Sequence, residues 1–256
     1  MAAHLLSDFV FQTDWMAERK KQPYVLLLHA LVVMGMAAVI LGGGNLLLLL
    51  LLGASHLALD AIKAHFYPTG ARTFILDQIS HIGVILALAY AFPDSIQQGI
   101  WFAALSETAE NYYLTVVTIV GGLIASVPAG GVLVGLVTAP LLEEIKEDGE
   151  RSRAKRGVAG GDRPVGASKG DYLKGLRKGG RYIGQLERSL VMLLLLIGQA
   201  NGIGFLFAAK SILRFGEIKD SHQRKMAEYI IIGTFLSFGW ALLTAYVTQQ
   251  VIKFWR

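Results

Sequence analysis

Cysteine is absent from the chain. Its absence excludes disulfides, thiolate zinc sites and lipidation through cysteine, and is silent on redox compartment. Charge is scarce as well. Only 17% of the 256 residues are Asp, Glu, Lys or Arg, against about 25% in soluble domains. With 54% hydrophobic residues and a mean hydropathy of +0.49, the composition is that of a polytopic membrane protein. The opening stretch lacks the order of a signal peptide. Its positive charges, Arg19, Lys20 and Lys21, follow the first apolar stretch, and no small-residue cleavage site comes after them. The net charge of +5 comes largely from one basic stretch, so it does not imply a nucleic-acid partner, and none is expected.

What is present is a series of apolar runs. Residues 2–18 are too short for a span and carry Asp8, Asp14 and Glu18, whereas a span needs about 20 apolar residues. They read as an amphipathic helix, interfacial or partly inserted. Arg19–Lys21 then mark a cytoplasmic edge. The first span is expected over 22–41, with Pro23 in its first turn, where proline is tolerated. After a tight turn at Gly42–Asn45, the second runs over 46–63 and opens on seven leucines. Lys63 and Arg72 flank the return on the positive side, and the third span is about 74–92. Residues 93–112 contain no Lys or Arg, as expected of the outer side. The fourth span, about 113–141, is glycine-rich and interrupted by Pro128, so it is expected to tilt or kink.

Composition then changes sharply. Residues 143–181 hold eleven Lys or Arg and almost no bulky apolar residue before Tyr172. They read as a flexible cytoplasmic loop, a positive-inside anchor able to meet anionic lipid or a cytoplasmic protein. Two further apolar runs follow, 189–209 and 227–252. If both cross the membrane, the basic residues between them lie outside, against the charge rule. Gly198, Gln199, Asn201, Gly202 and Gly204 interrupt the fifth run, so a re-entrant hairpin is the alternative to one simple span. The favoured architecture is an all-α integral membrane protein with about six transmembrane helices and a short N-terminal amphipathic helix. Its segments are a His/Asp-bearing unit at 1–92, an outer segment and fourth span at 93–142, a basic loop at 143–183, and a helical unit at 184–256.

The polar residues inside these runs are few and patterned. Five of the six histidines lie in the first 81 residues. His4/Asp8, His56/Asp60 and Asp77/His81 repeat one pair of residue types four apart, on one face of a helix. At 1.5 Å per residue, the topology puts His29 roughly 10 Å in from the cytoplasmic end of its span. It puts Asp60 and His56 at roughly 5 and 12 Å, and Asp77 and His81 at roughly 5 and 10 Å. All fall in one layer. Ionisable groups at such depth are paired, cavity-exposed or functional. Two chemistries fit. In one, His4, Asp8, His56, Asp60, Asp77 and His81 ligate a divalent metal such as zinc, manganese or iron, with His29 as a further candidate. In the other they form a proton relay or a structural hydrogen-bond network. Lys63 snorkels to the interface, or neutralises a carboxylate or an anionic substrate. Gln12 and Gln78 are candidates to orient the ligands. His65 and His222 read as solvated loop residues.

A second polar set lies in the C-terminal half: Glu187-Arg188, Lys210, Arg214 and Glu228. Lys210 and Arg214 are four apart, and Glu228 can pair with either. The set reads as an ion-pair lock or an anion clamp for a lipid phosphate.

Together these stretches resemble a bacterial membrane family catalogued as domain of unknown function 3307. The resemblance is carried by His4-Leu-Leu-Ser-Asp8-Phe-Val-Phe-Gln12-Thr-Asp14, by His29, by His56-Leu-Ala-Leu-Asp60-Ala-Ile-Lys63 and by Asp77-Gln78-Ile-Ser-His81. It continues in Gly184-Gln-Leu-Glu187-Arg188, Ile203 to Arg214, and Ala227-Glu228 to Thr234. It implies a bacterial inner-membrane protein without implying an activity. The HxxxD-type pairs are also similar, loosely, to those of membrane-bound metal-dependent hydrolases. The leading expectation is therefore a cytoplasm-facing metal site acting on a small or lipid substrate, with Lys63, Gln12 and Gln78 assisting. The alternatives are a transporter or proton-coupled protein using the same residues, and a non-enzymatic partner protein recruiting through 143–181.

Overall fold

The computed structural model describes residues 1–159, 179–214 and 221–255, with side chains described for 1–151, 179–212 and 224–255. All regular structure among the described residues is helical. Helix α1 (Ala2–Leu6) runs into a wider π turn at Ser7–Phe11, and α2 is Asp14–Glu18. Three long helices follow, α3 (Pro23–Leu41), α4 (Leu46–Phe66) and α5 (Ala71–Ala91), then the short α6 (Ile100–Ala104). Helix α7 (Glu107–Ile124) passes through a π turn at Ala125–Ala129 into α8 (Gly130–Ala159), and α9 is Gly179–Leu196. The chain ends with α10 (Asn201–Arg214) and α11 (Ser221–Phe254). Among the described residues, five helical stretches are long and apolar enough to cross a membrane: α3, α4, α5, Glu107–Arg151 and Arg224–Phe254.

Two of the expected elements differ. The run 189–209 is not one span but two helices. Gly198, at φ 77, ends α9: its N–H bonds to Leu195 O and the Gln199 N–H to Leu194 O. This paired closure requires a left-handed residue at the helix end, which glycine adopts without a Cβ penalty. The second difference is in the basic stretch. Residues 143–159 continue α8 as helix rather than starting a loop. Glu, Lys, Arg and Ala are good helix formers, and Glu147 meets Arg151 one turn on at 3.8 Å. Residues 160–178 lie outside the described residues.

The chain divides into two compact units, Met1–Ala129 with Thr244–Arg256, and Gly130–Leu243. In the second unit, Val191, Phe238 and Ala241 form a buried core covered by Ile203, Leu206 and Phe207. Arg188 is buried and donates to Ser237 Oγ at 3.0 Å. Glu187 takes the Lys210 ammonium at 2.7 Å, so Lys210 pairs with Glu187 and not with Glu228. Glu228 instead meets Arg224 at 3.2 Å on an exposed surface. The side chains of Arg214 and His222 lie outside the described residues.

The first unit is built with its polarity reversed. On α3 the buried stripe is Val25, Leu26, His29, Ala30, Val33 and Ala37, while Leu27, Leu28, Leu31 and Val39 are exposed. On α4 the inner positions are Leu48, Leu49, Gly53, His56 and Asp60, and on α5 they are Asp77 and His81. Apolar faces outward with ionisable groups inward suit a lipid environment and an internal polar site. Gly53, one turn before His56, lets α3 and α4 approach, because a Cβ there would run into the Met34 side chain. The N-terminal segment packs against the long helices. Ala3 packs with Ala37 and Leu49 while Asp8 reaches His29, so α1 and its π turn lie antiparallel along α3.

Candidate metal centre

Each helix delivers its polar residues to one place. The π turn carries Asp8 inward; widened turns of this kind re-aim side chains and occur often at functional sites. Helix α3 supplies His29, α4 supplies His56 and Asp60, and α5 supplies Asp77 and His81. His4, His29, His56, Asp60 and His81 are each at most 3% exposed.

At the centre are four converging atoms. His29 Nε2 lies 3.1 Å from His56 Nε2, 3.4 Å from Asp8 Oδ1 and 3.5 Å from Asp60 Oδ2. His56 Nε2 lies 3.5 Å from Asp8 Oδ1 and 3.6 Å from Asp60 Oδ2. A tetrahedron with its corners about 2.0–2.1 Å from a metal has edges of about 3.3–3.4 Å. Five of the six edges among these four atoms are thus within a few tenths of an ångström of a tetrahedral metal shell. Among the described residues, three overlapping groups could hold an ion: His4, Asp8 and His56; His29, His56 and Asp60; and Asp60, Asp77 and His81.

Hydrogen bonds beside the centre fix which ring nitrogen of His4 carries the lone pair. The Gln78 amide nitrogen donates to Asp77 Oδ2 at 3.2 Å, so its Oε1 faces His4 Nε2 at 3.3 Å. An amide oxygen only accepts, which makes His4 Nε2 the donor and leaves the lone pair on Nδ1. That nitrogen faces Asp8 Oδ1 at 3.6 Å. Both atoms are buried without a hydrogen-bond partner among the described residues, as are His29 Nδ1, Asp60 Oδ1 and His81 Nε2. An unsatisfied buried polar atom costs about 1–3 kcal/mol, and five in one cluster fit a cation-binding pocket. Burial also holds the His4 imidazole below its usual value, against the opposing pull of Asp8, so the ring is neutral as a ligand must be. For Asp8, burial opposes ionisation, but the neighbouring imidazoles of His29, His4 and His56 outweigh it and keep the carboxyl below its usual range.

Two lysines complete the electrostatics. Lys63 Nζ donates to Asp77 Oδ2 at 2.6 Å, and Lys20 Nζ to Asp60 Oδ2 at 2.8 Å. Lys20 carries no signal in the sequence beyond marking a basic flank, because it reaches Asp60 forty residues on through tertiary packing alone. His29, which has no partner four residues away, is at the middle of the cluster. Gln12 is half-buried and makes no hydrogen bond to the cluster among the described residues. Lys210, Arg214 and Glu228 belong to the second unit.

Residues 1–108 match the family described as protein of unknown function, DUF3307. That segment is similar to the family. All the histidines and carboxylates of the cluster lie inside the DUF3307 segment, whereas the stretches around Glu187, Lys210 and Glu228 lie beyond it. No curated protein and no solved structure matches the chain.

Proposed function

We propose that this protein is a metal-binding integral membrane protein, with one divalent cation held by Asp8, His29, His56 and Asp60. The observation that carries this reading is the set of five ligand–ligand distances between 3.1 and 3.6 Å among two imidazole nitrogens and two carboxylate oxygens. Nitrogen and oxygen ligands at such spacing suit zinc first, then iron or manganese. His4 supports Asp8, and Gln78 sets the tautomer of His4. Arg19–Lys21, Lys63 and Arg72 flank this end of α3, α4 and α5, so the same reading turns the centre toward the cytoplasm.

A narrow cleft adjoins the centre, lined by Leu52, Ser55, Leu59, Val84 and Ile85 together with His56 and His81. Four protein ligands close a tetrahedral ion to water, as in structural sites. Hydrolysis of a lipid or small substrate therefore needs a further open coordination position. Metal analysis of the purified protein tests the reading. About one tightly held ion per chain, lost in His29→Ala and Asp60→Asn, is expected. An ion-free protein whose melting is indifferent to added zinc, iron and manganese would sink it.

A further inference from the structure

Asp60 belongs to two groups of converging ligand atoms at once. With His29 and His56 it forms part of the centre above. With Asp77 and His81 it forms another, in which one ligand atom from each residue lies within 4.8 Å of the others. Its two oxygens have different surroundings. Oδ2 meets Lys20, His29 and His56, whereas Oδ1 is buried without a hydrogen-bond partner among the described residues.

His81 offers a matching atom. Its Nδ1 lies 2.9 Å from the Asp77 backbone carbonyl, which only accepts, so Nδ1 carries the proton and Nε2 the lone pair. That Nε2 is buried and unpartnered. A ring N–H fixed on a carbonyl is how proteins set the tautomer of a metal-ligating histidine. Asp77 supplies the third group. Its Oδ2 is taken by Lys63 and Gln78, and its Oδ1 lies 3.6 Å from His81 Nδ1.

We infer that the pocket takes two divalent cations, bridged by the Asp60 carboxylate, with Asp77 and His81 completing the second position. The inference rests on the cation reading of the first centre. Paired-metal sites hold their ions about 3.5–4 Å apart, a separation one carboxylate spans through its two oxygens. The second position has three protein ligands, so coordination sites stay open for water or an anion, as catalytic metal sites require. It also shares His81 with the apolar cleft.

Charge sets how the second ion enters. Asp8, Asp60 and Asp77 contribute three negative charges, and Lys20 and Lys63 two positive ones, leaving one net negative charge when the imidazoles are neutral. One dication already reverses that sign. The ammonium of Lys63 on Asp77 Oδ2 therefore stands in for the second cation and competes with it.

The test is a zinc titration of the chelator-treated full chain in detergent, with bound metal counted by elemental analysis. Wild type is expected to bind one ion tightly and a second more weakly. His81→Gln should hold only the first, and His29→Ala should lose the tight one. Lys63→Met should bind the second ion more than about tenfold more tightly, since a like charge beside a ligand oxygen is removed. That gain cannot come from misfolding. Saturation at one ion in all of wild type, His81→Gln and Lys63→Met would overturn the paired site while leaving the first centre standing. No bound ion at all would overturn both.

Discussion

Replacing His29 by alanine is the sharpest probe of the centre, because its Nε2 lies within 3.1–3.5 Å of three other proposed ligand atoms. Structural four-ligand zinc sites bind with roughly 10–16 kcal/mol at neutral pH. One ligand of four is then worth about 3 kcal/mol, or roughly a hundredfold in affinity. The readout is the increase in melting temperature that metal confers, not the melting temperature itself. Truncating a fully buried side chain lowers the baseline by about 2–4 kcal/mol whatever its role. With free metal at about a thousand times the wild-type Kd, binding stabilises the native state by about 4.1 kcal/mol. A Kd a hundredfold weaker reduces that to about 1.4 kcal/mol. In a chain of this size the metal-dependent shift should fall from roughly 8–16 °C to roughly 3–6 °C. Melting in detergent, with chelator or with zinc, reads both values. An undiminished shift in His29→Ala, at any baseline, would refute the placement of His29 in the metal shell.

Three other outcomes are expected. Lys20→Met leaves the buried Asp60 carboxylate without its ammonium at 2.8 Å; it should cost about 3 kcal/mol in the metal-free protein and less with zinc present, as melting in the two conditions would show. Because burial lowers the His4 pKa in the folded state, the unfolded chain binds that proton first. The His4 contribution is therefore fully present above about pH 6.5 and is lost as pH falls below it, so metal-free melting midpoints should drop between pH 7.5 and 5.5; a flat profile over that range contradicts the burial argument. In the second unit, Lys210→Met strands the buried Glu187 carboxylate that it meets at 2.7 Å, which should cost about 3 kcal/mol, and adding Glu187→Gln should restore most of the loss in a double-mutant melting series.

Much of the helical layout could be read from the residues alone. The spans expected at 22–41, 46–63 and 74–92 correspond to helices at Pro23–Leu41, Leu46–Phe66 and Ala71–Ala91, because lipid-length apolar runs bounded by turn residues leave little choice. The i,i+4 pairs were legible for the same reason: helical period puts both members on one face. What stayed hidden depends on rotation and packing between helices. His29 has no partner in its own helix, so its place at the centre is decided by how α3 turns toward α4. Lys20 meets Asp60 only because the segment between α2 and α3 folds back over α4. The break at Gly198 was visible as a cluster of small and polar residues, but composition did not decide between a bent span and two helices. Its place at the opening of the last apolar run lets Glu228 pair with Lys210 or Arg214, whereas packing gives Lys210 to Glu187.

The packing of α1 and its π turn along α3 has a consequence for biogenesis. Asp8 precedes all three long helices of its unit, yet it meets His29, and His4 meets Gln78, 74 residues further on. The segment can complete these contacts only after α3 and α5 have both been made. On the proposed metal reading, loading of the Asp8, His29, His56 and Asp60 set is therefore a late event that reports completed assembly. A chain truncated before α5 would still expose every donor of that set but would lack the wall that holds the leading segment in place.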